Sequence, residues 1–547
     1  MAINGGEKLI NLNGILQEAL QQFKSGRFDV SRQLLESVLE KDANNQPSLW
    51  GLVKVCDALG DDEGSYRCLR TLANLRPNDN GVIEAFVERC RTPQRIALAI
   101  ELYSNYLRGA PDSADGHYNF AYLLARAGKP SDAIIAYEKS LALGAERPEE
   151  IVLNIATLYS QQLRDDVAAK SQLQRATSLN PLYVPAYYNL GCLAEEQGDR
   201  ESACAFFSRC LELDAGYLPA LARLADARNF EDEVDPLIGK LKTQATVSED
   251  ANLYFALGRA LEQCGNYADA LANFIKANSI DRSVYREYVP ELVEAEFSAI
   301  KESFDCEWFE KNRLANDYAP IFICGMFRTG STLVEQILAA HSAFTPGGER
   351  EFFSRLIGAD LPEYPKGIEL LSQDALHSWA MRYREESVRV FGSDSRLTDK
   401  RPDNFLYLGL IKTLFPKSKI IVTRRDSRDT AWSIYSTRFG PGQNYATDLS
   451  TIRHYIDLQS DLIAHWHRIF QQDLMTIDYE DLVTAPRETL ADLLTFLEEP
   501  WEEQCLLFDK LKNTVRTESV WQVRKPLYTS SIGRSAPYLK LRPDLFV

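Results

Sequence analysis

No apolar stretch in this 547-residue sequence is long enough to span a bilayer. Its first residues, MAINGGEKLINLNG, carry neither a basic n-region nor a continuous apolar run. A cytoplasmic chain is the expectation. Positive charge is also short. Sixty-one Lys and Arg face 78 Asp and Glu, a formal net charge of −17, which argues against non-specific binding to nucleic acid and leaves any anion site to a local cluster. The ten cysteines are scattered, with no C-x2-C pair and no histidine cluster beside them. Reduced thiols buried in cores are therefore expected. Among the six histidines, His341, His454, His465 and His467 lack metal spacing; His465 and His467 lie two apart, which splays them on a helix. What remains is an ordinary globular composition, 45% hydrophobic and 25% charged, over a length that calls for two or three domains.

The first 280 residues are repetitive. Asn119, Asn154 and Asn189 recur every 35 residues, as do Ala133, Ala168 and Ala203. Tyr137, Gln172 and Phe207 follow those alanines by one helical turn, and Gly128 and Gly198 sit where inter-helix turns are expected. A further copy carries Gly258, Ala270 and Phe274, and a weaker one opens around Gly26-Arg27-Phe28. Small residues where helices cross, with a large one a turn later, form the tetratricopeptide pattern. Such helix pairs must stack to bury their apolar faces, which predicts an all-α superhelix over residues 1–290 with the aromatic filling the gap to the next repeat. Residues 215–243 fit poorly and read as a degenerate repeat. A concave repeat surface suits a peptide or protein partner.

After a connecting segment, 291–315, the pattern changes. From residue 316 to 547, apolar runs precede glycine turns and helical segments: PIFIC, SKIIVTRRD and LMTIDYEDL. That alternation predicts an α/β domain with a central parallel sheet, whose ligands bind beyond the carboxyl ends of the strands. GMFRTGST, residues 325–332, has nearly the spacing of a nucleotide-binding loop, but Ser331 stands where a triphosphate-gripping lysine would be. Gly325 and Gly330 free the backbone to turn, the amides at the helix start form an anion cradle, and Arg328, Ser331 and Thr332 add donors. Without the lysine, and without an apolar run ending in a convincing magnesium-binding Asp, the loop suits a nucleotide with one anionic group at its 5′ end. A second candidate clamp is Arg425, which ends a strand, with Ser433 two turns into the helical segment 429–439. Two anion sites suit a nucleotide charged at both 5′ and 3′ positions, such as 3′-phosphoadenosine 5′-phosphosulfate (PAPS).

PIFICGMFRTGSTLVEQILAAHSAFTPGGE resembles the 5′-phosphosulfate loop of sulfotransferases, and most of all that of tyrosylprotein sulfotransferases and their relatives fused to tetratricopeptide repeats. IIVTRRDSRDTAWS, TDKRPDNFLYLGLIKTLFP and TESVWQVRKPLYTSSIGR resemble further segments of that family, so the likeness covers about residues 316–540. The resemblance implies a P-loop-like fold and transfer of a sulfuryl group from PAPS to an acceptor hydroxyl, releasing 3′,5′-bisphosphoadenosine without a metal. A protein tyrosine, a glycan or a smaller hydroxyl compound would be the acceptor, recruited or oriented by the repeats. It further implies that Arg328, Thr329, Gly330, Ser331 and Thr332 hold the 5′ end. Arg425 and Ser433 would hold the 3′ phosphate, with Lys525 and Arg534 in the late nucleotide-binding segment. Glu349, 21 residues after Arg328, would be the catalytic carboxylate, and Lys400, Arg328 and Ser519 would contact the transferring group. Gly347-Gly348-Glu349-Arg350 has one acid where close relatives often show two, and Thr329 replaces a serine. Tyr479 either touches nucleotide or merely ends a strand, the structural role being favoured, and for Trp432 and Trp521 core packing is favoured over packing near adenine. Two other functions fit the same sequence: a repeat scaffold with a catalytically silent nucleotide module, and a P-loop kinase.

Overall fold

The computed structural model describes residues 4–76, 79–392 and 396–546. The chain folds as two compact units, Met1–Ala186 and Tyr187–Val547. In the first, helices follow one another from Asn4–Lys24 to Asp166–Leu179 and pack in sequential pairs, such as Ala114–Arg126 on Pro130–Ala142. Polar side chains start them: Asp61, Ser113 and Asp165 each accept a backbone N–H three residues on, which relieves orphan donors of the first turn. Ala133 is fully buried where its pair crosses, and Tyr137 stands edge-on to Tyr118 at 5.6 Å. Gly128 makes its turn at φ +70. One period later the glycine is missing. There the helix ends in a π-helical stretch, Leu158–Leu163, and Arg164 takes the left-handed conformation at φ +56.

The second unit begins with more helix pairs. Phe207 closes on Gly191, where a Cβ would lie 2.5 Å from the ring; Phe274 closes on Gly258, at 2.6 Å. The large residue thus fills a gap inside its own pair rather than against the next repeat. No side chain larger than hydrogen fits at either glycine. The poorly fitting stretch holds two helices, Leu218–Ala227 and Pro236–Ser248, whose connection is closed by the Arg228–Asp235 ion pair at 2.7 Å.

Beyond these lies a sheet of five strands: β1 Ile321–Gly325, β2 Phe344–Pro346, β3 Arg396–Lys400, β4 Ile420–Arg424 and β5 Leu474–Asp478. All pairings are parallel, in the order β2-β3-β1-β4-β5. Side chains alternate across it. Phe322, Cys324, Ile420 and Val422 join a core with Tyr383, Phe415 and Trp466, while Ile321, Ile323 and Ile421 join another with Val334, Leu338 and Leu493. The chain leaves β1 toward β2 and β3 on one side and reaches β4 and β5 on the other. The crevice at this reversal, beyond Gly325 and Arg424, is where such sheets bind ligands. All ten cysteines are free thiols; five are buried, whereas Cys306 is exposed. Among the described residues no helix is long and apolar enough to cross a membrane.

Candidate active site

The loop after β1 is fixed by its two glycines. At Gly325, φ +147, a Cβ would lie 2.3 Å from the Thr423 carbonyl oxygen. At Gly330, φ +97, it would meet the Tyr479 ring at 3.0 Å. The helix Ser331–Ala339 starts at once, so its first amides have no partner within the helix. Gly330, Ser331 and Thr332 line a cavity of about 500 Å3, an arrangement suited to an anion. Thr329 turns the other way. It is buried, and its Oγ1 is engaged by the Met326 carbonyl at 2.6 Å and Thr423 Oγ1 at 2.7 Å, which ties the loop to β4.

Arg328 holds a left-handed conformation, φ +70, costing about 1–2 kcal/mol for a non-glycine residue. Three acceptors hold its guanidinium: Nε donates to Ser433 Oγ at 3.2 Å, Nη1 to Ser519 Oγ at 2.5 Å and Nη2 to Gln522 Oε1 at 3.0 Å. Burial, with the like charges of Arg534 and Arg425, pushes it down to about 10. Arg425 follows β4, and its Nη1 donates to the Arg328 carbonyl at 3.4 Å. Its guanidinium lies 4.9 Å over the Tyr479 ring and donates to the Ser531 carbonyl, while Nε is buried without a hydrogen bond. Burial lowers its pKa as well. Two buried guanidiniums beside the first amides of the helix give this end of the cleft a positive character that suits an anion, partly offset by Glu518 and Asp429.

Glu349 and Lys400 meet across the mouth of the sheet. Lys400 ends β3 with no exposed surface and donates from Nζ to Glu349 Oε1 at 2.6 Å. Its sequence neighbours are otherwise engaged: Asp399 accepts from Tyr383 and Asn404, and Asp403 from Arg401. Glu349 lines the same cavity as Arg328 and Arg425. The turn carrying it is held by Glu335, 3% exposed on the loop helix, whose Oε1 accepts from the Gly348 N–H at 2.9 Å and from Thr398 Oγ1 at 3.0 Å. Burial pushes Glu335 up to about 7, against the pull of Lys400.

Of the remaining candidates, Ser519 and Lys525 line the cavity, and so does Tyr479. Ser433 is 1% exposed and reaches the cleft only through Arg328. Arg534 is paired with Glu262 of the helix Ala251–Gln263. Trp432 stacks on Tyr538 at 3.7 Å, deep in the core, and Trp521 donates to Glu195. His465 and His467 bond the Phe304 carbonyl and Thr476. Glu335 and Gln522 occupy no motif position legible in the sequence. An acid beside Gln336 within the mostly apolar segment LVEQIL was the available signal for the first.

Residues 320–503 match the model of the sulfotransferase family, and residues 94–148, 184–217 and 251–284 match tetratricopeptide repeats. The chain joins tetratricopeptide repeats to a sulfotransferase domain. It is similar to an uncharacterized protein of Aquifex aeolicus, 28% identical over 414 residues, covering 72% of this chain and 53% of that one. The sulfotransferase region is similar to the protein-tyrosine sulfotransferase of Drosophila melanogaster, 27% identical over 205 residues, 35% of this chain and 40% of the relative. A solved sulfotransferase domain from the curacin biosynthetic pathway is 18% identical, covering 41% of this chain and 98% of that one with a TM-score of 0.27. The chain thus spans about half or less of these two curated relatives' own lengths. Within the sulfotransferase domain, the glycine loop, the paired arginines and the Glu349–Lys400 bridge share one end of the sheet.

Proposed function

We propose that the sulfotransferase domain uses PAPS as donor and transfers its sulfuryl group to an acceptor hydroxyl, a protein tyrosine as the name of the Drosophila relative suggests. In this reading the repeats bring the acceptor polypeptide or its carrier. The observation that carries it is the convergence of Arg328, Arg425 and Glu349 on one cavity. The fit to a doubly anionic nucleotide rests on the mutually repelling guanidiniums, the buried orphan Nε of Arg425 and the free amides at Ser331.

When bound, PAPS supplies an electrophilic sulfur joined to a competent leaving group, 3′,5′-bisphosphoadenosine. The chain's task is then positioning and electrostatics, as in phosphoryl transfer. Gly330, Ser331, Thr332 and Arg328 hold the 5′ end, and Ser433 and Ser519 aim Arg328. Arg425 takes the 3′ phosphate, and Lys525 closes from the late segment. Arg534, held by Glu262, lends its charge to the field at Arg328, partly offset by that partner, while Thr329 keeps the loop in shape. Glu349, steadied at Oε1 by Lys400, offers Oε2 to the proton of the acceptor hydroxyl. A phenol with pKa near 10 needs that proton taken only as the new bond forms. Lys400 and Arg328 balance charge on the transferring oxygens.

Calorimetry on the full chain tests the donor. 3′,5′-Bisphosphoadenosine should bind more tightly than ATP–magnesium, and the reverse order would turn the reading toward a P-loop kinase. Glu349→Ala should bind the bisphosphate as the wild type does, yet transfer labelled sulfate about 100-fold or more slowly. Binding without transfer by the wild type to any hydroxyl acceptor would leave a repeat scaffold with a silent nucleotide module.

A further inference from the structure

Ser519 and Gln522, which hold Arg328, belong to one turn: the amides of Gln522 and Val523 donate to the Ser519 carbonyl at 3.0 and 3.2 Å. The outer side of this turn rests on repeat helices. Trp521 Nε1 donates to Glu195 Oε1 at 2.9 Å, and Arg200 lies 4.6 Å over the Trp521 ring. The approach to the turn is stapled to the same helix end. The Val515 N–H donates to the Glu196 carbonyl at 2.8 Å. Arg524 reaches that carbonyl at 3.3 Å and also donates to the carbonyls of Leu511 and Asn513. Glu195 is 5% exposed. A carboxyl at such depth is costly unless it is bonded, and Trp521 and, at 3.6 Å, Arg223 hold this one.

We infer that the repeats form part of the donor site, with Glu195 as a positioning residue that sets the turn 519–523, through Trp521, so that Ser519 and Gln522 hold Arg328 in the cleft. The inference depends on the donor reading given above. Glu195 lines the rim of the same cavity and pairs with Arg223 at 3.6 Å; its route to Arg328 runs through three successive contacts, Glu195 to Trp521, the turn itself, and the turn to Arg328. The tetratricopeptide helices are therefore more than a recruiting arm, because a change in them is felt at the 5′ end of the nucleotide.

The test uses the full chain and 3′,5′-bisphosphoadenosine, with donor KM and kcat from sulfate transfer. Glu195→Ala should weaken bisphosphate binding about tenfold, raise the donor KM alike and lower kcat as well, since Arg328 also balances charge on the transferring oxygens. Glu195→Gln, whose amide oxygen still accepts from Trp521, should restore wild-type affinity. Trp521→Phe should match Glu195→Ala, and the two together should cost no more than either. In an Arg328→Ala background, Glu195→Ala should cost nothing further. Wild-type affinity in both Glu195→Ala and Trp521→Phe, with only a lowered melting temperature, would overturn the inference, because a purely structural contact behaves that way. No bisphosphate binding by the wild type would instead bring down the donor reading, and this inference with it.

Discussion

Glu335→Gln gives the sharpest physical test of the site. The Glu335 carboxyl is raised from its ordinary 4.5 to about 7, chiefly by burial. Between those values the folded chain binds a proton that the unfolded chain has released. Stability from this group is therefore full below 4.5 and is lost as pH rises through 7. At about 1.4 kcal/mol per tenfold, the whole span is worth roughly 3 kcal/mol, of which about 2.5 kcal/mol falls between pH 5 and pH 8.5. The glutamine variant keeps an oxygen to accept from Gly348 and Thr398 but has nothing to ionise. For a unit of 361 residues, Tyr187 to Val547, at about 2.1 cal/mol/K per residue, 2.5 kcal/mol corresponds to about 3 °C in Tm. Melting curves of both proteins at pH 5 and pH 8.5 provide the measurement. The variant should gain about 3 °C on the wild type from the acid to the alkaline condition. Every other titrating group, including Glu195, which burial also raises to about 7, is common to both chains and cancels. A difference in Tm that does not change with pH would refute the proposed burial of this charge.

Other changes probe the loop and the repeats. Gly325→Ala should abolish bisphosphate binding, since its methyl group would lie within 2.3 Å of the Thr423 carbonyl oxygen; calorimetry that finds wild-type affinity would contradict the loop geometry. Arg328→Lys should weaken bisphosphate binding at least tenfold, because one ammonium cannot reach Ser433, Ser519 and Gln522 together. Phe274→Ala should cost about 3–5 kcal/mol in denaturant melts, the range for emptying a fully buried aromatic site.

The repeats and three strands of the sheet were legible because each has a period or an apolar run. The 35-residue spacing announced helix pairs, and PIFIC, SKIIV and LMTID became β1, β4 and β5. β3 was not legible as a strand. Its residues Thr398, Asp399 and Lys400 are polar, yet each is at most 1% exposed. They tolerate burial because partners far away in sequence satisfy them, Glu335, Tyr383 and Glu349 respectively, and no local pattern encodes such pairings. The same reason hid Glu335 and Gln522. The motif positions of the loop could be named from the sequence, but which way each side chain turns could not: Thr329 faces β4 and Ser433 faces Arg328.

Trp432 lies between Phe274 of the helix Tyr267–Val284 and Tyr538 near the carboxyl end. Around it Asn278 donates to the Tyr435 carbonyl, and Arg438 forks onto Asp281. The final helix pair therefore cannot be traded for a pair from another superhelix without breaking an indole's packing and a buried carboxylate's charge balance. Recombination between lineages should respect that seam. Descendants would gain or lose helical pairs before Tyr187 while inheriting everything from there to the sheet as a single heritable block.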